Sequence, residues 1–94
     1  MLAQCAIIGV VNNKHRKTLE AIFSAPVPKT LEWGRIEALF LAVGCQLLEG
    51  EGSRVRFTRD GKIASFHRPH PEKEAKPYQV RDARAFLELL GITP

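Results

Sequence analysis

A chain of 94 residues with 14 Lys and Arg against 10 Asp and Glu, a net charge of +4 and 45% apolar residues suits one domain with a small core. That balance is ordinary for a globular protein and excludes collagen-like, low-complexity and disordered classes. Two cysteines, Cys5 and Cys45, form neither a CxxC nor a Cys/His metal spacing, so they read as reduced thiols of a cytoplasmic protein, with a disulfide as the lesser alternative.

The chain opens MLAQCAIIGVV, largely apolar and without Lys or Arg before Lys14. This stretch is too short to span a bilayer and lacks the basic flank of a signal peptide. Ala6 to Val11 is β-branched, so residues 1–12 read as an apolar arm or edge strand. An edge strand there is compatible with a homo-oligomer paired through it. The remaining residues, 13–94, read as a single domain.

Asn12 or Asn13 can cap a first helix from Lys14 to Ser24, with Leu19, Ile22 and Phe23 on one face. The prolines of APVPK end it. Thr30 can cap a second helix, Leu31 to Val43, whose stripe of Trp33, Ile36, Leu39, Phe40 and Val43 recurs at helical spacing. Trp33 falls on that stripe and reads as core, not as a base-stacking ring. Gly44 stands at the left-handed cap position.

Three strands follow: Cys45 to Glu49, Arg54 to Arg59 and Lys62 to Arg68. Asp60-Gly61 is a strong signal for a two-residue hairpin turn. Counting outward from it, Arg59 faces Lys62, Phe57 faces Ala64, Val55 faces Phe66 and Arg54 faces His67. This register is the one that gathers Val55, Phe57, Ala64 and Phe66 on one face. The other face receives Arg54, Arg56, Thr58, Ile63, Ser65 and His67. A last helix runs from Pro77 to about Leu90, with Val80, Ala83, Phe86, Leu87 and Leu90 as its stripe and Gly91 as its cap. The expected class is α+β, an antiparallel three-stranded sheet with helices on one face and the other face wet.

Charge is unevenly placed. Residues 53–84 hold nine Lys and Arg against four acids. A basic half on a small domain suits an anionic partner, most often nucleic acid; the alternative is a solvated, solubilising face. Arg54, Arg56, Arg68, Lys73 and Lys76 are the candidates to hold phosphates. Glu49 and Glu51 flank a loop glycine and read as solubilising. Nothing in the spacing of Asp, Glu, His and Cys suggests a metal or another cofactor.

Four elements in order, LEWGRIEALFLAVGC, Gly52-Ser53, RPHPEKEAKP and LELLGI, resemble the HicA toxins of HicAB toxin–antitoxin systems over roughly residues 31–92. The resemblance implies a fold similar to a double-stranded RNA-binding domain, cleavage of mRNA, and neutralisation by a HicB antitoxin. The family's usual catalytic histidine follows the Gly-Ser pair, where this chain has Arg54.

RNA hydrolysis without a metal needs a base for the 2′-hydroxyl, an acid for the leaving oxygen and positive charge at the phosphate. Imidazole serves the first two. His67, directly across the hairpin from Arg54, is the candidate replacement, with Arg54 beside it for the phosphate; the alternative is a solvated imidazole on a strand. His70 matches the family's Pro-x-His-Pro-like element, or only shapes its loop. The expected function is therefore a metal-independent ribonuclease toxin. Two alternatives stand beside it: an RNA-binding module that has lost catalysis, and a basic partner for an acidic antitoxin.

Overall fold

The computed structural model describes residues 13–94. Among these residues three helices and three strands follow one another in the order α-α-β-β-β-α: α1 Asn13–Ile22, α2 Trp33–Ala42, β1 Gln46–Glu49, β2 Arg54–Arg59, β3 Lys62–His67 and α3 Pro77–Leu89. The strands form one antiparallel sheet ordered β1-β2-β3. The class is α+β, as the patterning predicts. The expected N-terminal strand lies outside the described residues.

The hairpin turn sets the register. Asp60 and Gly61 both have positive φ, 54° and 79°, which is the backbone of a two-residue turn matched to strand twist. Arg54 pairs with His67, Val55 with Phe66, Phe57 with Ala64 and Arg59 with Lys62, as counting from the turn requires. β1 joins the other edge of β2, with Gln46 opposite Thr58 and Leu48 opposite Arg56.

Alternation then sends Val55, Phe57 and Phe66 inward, where they are buried. Phe40 of α2 stands edge-on to Phe57 at 4.8 Å and to Phe86 of α3 at 5.5 Å. Trp33 lies 5.1 Å from Phe66 and is 5% exposed, so it belongs to the core. Ile22, Ile36, Leu39, Val80, Ala83 and Leu87 complete a single apolar cluster between the helices and the sheet. The first helix is tied in twice. Leu19 and Ile22 enter the core, and Arg84 of α3 donates to the carbonyls of Ile22 and Ser24 at 3.0 and 2.9 Å.

At the start of α2 the boundary differs from the sequence reading, and a distant partner is the reason. α2 begins at Trp33, two residues later than the stripe suggests, with Glu32 in extended conformation at its N-cap. Leu31 and Trp33 instead exchange backbone bonds with the loop before α3. Ala75 N–H donates to Leu31 at 2.8 Å and Trp33 N–H to Lys73 at 2.9 Å, and Glu32 faces Glu74 across this short bridge. Thr30 therefore does not cap the helix. At its other end, Gly44 has φ 97° and Cys45 N–H donates to Phe40 at 3.0 Å, so β1 starts one residue later than expected. Cys45 is a free, buried cysteine. Burial pushes its thiol up from the usual range, with Arg59 opposing; it stays protonated and unreactive at neutral pH.

Candidate nucleic-acid interface

Among the described residues no helix lies over the outer face of the sheet. Arg54, Arg56, Ser65 and His67 are exposed there, and Leu48 and Ile63 stand half or more exposed on the same surface. Arg54 and His67 are direct cross-strand neighbours, which places their Cβ atoms about 5 Å apart. Arg56 lies two residues along β2, between Leu48 and Ser65. Neither Arg54 nor Arg56 forms an ion pair with the described residues. Two guanidiniums with open donors beside an imidazole form a surface that can take a phosphate group.

Arg68 has a different fate. Its Nε and Nη2 donate to the two carboxylate oxygens of Glu37 at 3.1 and 3.2 Å, and its Nη1 donates to Glu49 at 3.2 Å. These hydrogen bonds hold the guanidinium firmly protonated. Glu37 also accepts the Trp33 indole N–H at 3.0 Å. Arg68 is thus the clasp that joins the end of β3 to α2 and β1, with three of its guanidinium N–H groups engaged by carboxylates. Sequence spacing offers a hint of half of this network, since Trp33 and Glu37 are four apart on a helix. The 31-residue separation of Glu37 from Arg68 leaves no local signal.

The loop after β3 carries His70, Lys73 and Lys76, all exposed. Lys73 makes no ion pair with the described residues; Lys76 lies 3.5 Å from Glu72, a surface contact that holds it loosely. The loop is held in two places. The bridge to Leu31–Trp33 holds its middle, and Gln79 holds its exit. Gln79, 2% exposed, donates from Nε2 to the His67 carbonyl at 2.6 Å and accepts the Lys76 N–H on Oε1 at 3.0 Å. One buried amide therefore joins the start of α3 to the end of β3 and fixes the backbone of His67. Sequence reasoning passed over Gln79, although a Gln three residues after an N-cap is a capping-box signal.

Among the described residues no group of three His, Cys, Asp or Glu is placed to hold a metal ion. No helix among them is long and apolar enough to cross a membrane.

The family model for the HicA toxin of bacterial toxin–antitoxin systems matches residues 33–92. The chain belongs to the HicA toxin family. No curated protein and no solved structure matches it. The matched span starts at the first residue of α2 and ends just past α3, so the HicA domain here comprises α2, the sheet and α3, with α1 packed on as an additional helix. Within that domain, Arg54 stands immediately after Gly52-Ser53 and faces His67.

Proposed function

We propose that this HicA-family toxin binds mRNA on the outer face of its sheet and cleaves it without a metal, with His67 as the base, and that a HicB-like antitoxin neutralises it. The observation that carries this reading is the pairing of Arg54 with His67 on an exposed face. The imidazole has moved across the hairpin while keeping almost the same place in space. His67 takes the 2′-hydroxyl proton as the 2′-oxygen attacks phosphorus. Arg54 and Arg56 stabilise the charge that builds on the phosphate oxygens. The P–O5′ bond breaks, and the leaving 5′-oxygen takes a proton, for which His70 is the nearest remaining imidazole in sequence. Lys73 and Lys76 add positive charge on the loop that follows β3.

Inducible expression in a bacterial host, with RNA integrity followed over time, tests the reading. Wild type should arrest growth and degrade mRNA, and His67→Ala should do neither while still binding the antitoxin. If His67→Ala cleaves as well as wild type, the relocated imidazole is not the base. A second reading is favoured by Arg54 itself: an RNA-binding module whose catalysis went with the family histidine. Purified wild type that binds RNA and cleaves none supports it. A third is favoured by Leu48 and Ile63, apolar side chains on the basic face: a surface that serves only to bind an acidic antitoxin. Failure to bind RNA, with intact antitoxin binding, supports that one.

A further inference from the structure

A groove of about 300 Å3 opens at the end of the sheet, lined by Leu48, Glu49, Gly50 and Glu51 on one side and by Arg54 and Arg56 on the other. Its two walls have opposite charge. A site for phosphate alone gains nothing from carboxylates, because they repel the anion. A site for a whole nucleotide can use both walls, with phosphate on the guanidiniums and the donor edge of a base on a carboxylate.

The two carboxylates are not equivalent. Glu49 is engaged by Arg68 at 3.2 Å, which ties it to the clasp on Glu37. Glu51 forms no ion pair or side-chain hydrogen bond with the described residues. Its loop is tightly folded onto β2: Gly50 N–H donates to the Arg54 carbonyl at 2.8 Å and Arg54 N–H to the Glu51 carbonyl at 3.2 Å. A Cβ at Gly50 would stand 3.4 Å from the Arg54 Cβ, so the turn leaves little room between loop and strand. Glu51 is thereby kept close to Arg54. Leu48, half exposed, supplies an apolar surface on the same wall.

We propose that this groove is a base-reading subsite for an unpaired guanine, with Glu51 as its specificity-determining residue. The two oxygens of a carboxylate match two adjacent N–H donors. Among the RNA bases, guanine presents such a pair, N1–H and the N2 amino group, on its Watson–Crick edge. Adenine and cytosine present one amino group and uracil one imino N–H. The edge is consumed in a duplex, so the subsite takes single-stranded RNA. Arg54 holds the phosphate of the same or the adjoining nucleotide. This inference rests on the reading of the outer face as an RNA surface.

The test measures binding by fluorescence anisotropy, using the His67→Ala protein, free of antitoxin, so that the probe is not cut. The probes are end-labelled oligouridine strands carrying one central guanosine, inosine, adenosine or uridine. Guanosine should bind about 10-fold tighter than adenosine or uridine, as a two-bond base contact commonly gives. Inosine lacks the N2 amino group and should fall between. Glu51→Gln should remove the preference while leaving oligouridine affinity equal or somewhat tighter, since it deletes a negative charge near phosphate. The exposed position of Glu51 leaves the fold intact, which circular dichroism checks. Equal affinity for all four probes, or a guanosine preference that survives in Glu51→Gln, overturns the subsite and leaves the RNA surface standing. Absence of binding to any probe at low salt overturns both.

Discussion

The two faces of the β2–β3 hairpin come from the same dozen residues and behave as different materials. On the inner face Val55, Phe57 and Phe66 are at most 4% exposed, and the two phenyl rings join Trp33, Phe40 and Phe86 in a chain of ring contacts. On the outer face Arg54, Arg56 and His67 have water around their side chains. Side chains one residue apart thus answer to packing or to charge and not to both. Stability and the proposed RNA binding can then be changed separately on one short hairpin, and variants on either face, or on the residues that join them, show how complete the separation is.

The largest effect belongs to the inner face. Trp33→Ala removes a buried ring from contact with Phe57 and Phe66 and should cost about 3–5 kcal/mol in denaturant unfolding. That loss unfolds many domains of this size. A variant that stays folded at wild-type stability but no longer binds RNA would place the indole on the outer surface and undo the division.

Next comes His67→Ala. It should lower any RNA cleavage rate by about 10²–10⁴-fold while leaving the thermal midpoint nearly unmoved, because the only bond His67 makes to α3 is through its carbonyl. His70→Ala should lower the rate less. Gln79→Ala tests the seam between the faces. It strands the His67 carbonyl and the Lys76 N–H, and should cost about 1–3 kcal/mol. If Gln79 fixes the imidazole's backbone, cleavage should drop further than the lost stability explains at a temperature where the variant is fully folded.

The smallest and sharpest contrast is among the arginines. Arg56→Ala should be neutral for stability within about 0.5 kcal/mol, weaken binding to unrelated RNAs alike, and reduce the salt dependence of log K by about one unit. Arg68→Ala should do the reverse. It should cost about 1 kcal/mol, because its ion pairs with Glu37 and Glu49 are partly solvated, and leave the salt slope as it was. Equal loss of RNA affinity in both variants would show that the clasp on Glu37 opens when RNA binds.

The hairpin and its two faces could be read from the chain. A two-residue Asp-Gly turn admits few registers, and only one of them groups Val55, Phe57, Ala64 and Phe66. The helical stripes and the order of elements were legible for the same reason: periods of 2 and 3.6 residues are properties of the local backbone. The adjacency of Arg54 and His67 follows from the turn by counting, with no knowledge of the rest of the molecule. Tertiary structure alone decided what the polar residues do. Arg56 and Arg68 look alike in sequence, yet one has no ion pair with the described residues and the other grips a carboxylate 31 residues away. Leu31 and Glu32 carry a helical pattern but are drawn out straight by the backbone of residues 73–75. Gln79 has meaning only because the end of β3 lies beside the start of α3. Apolar periodicity is encoded every few residues, so it survives in a single sequence. A hydrogen bond between distant groups is encoded nowhere but in the fold that brings them together.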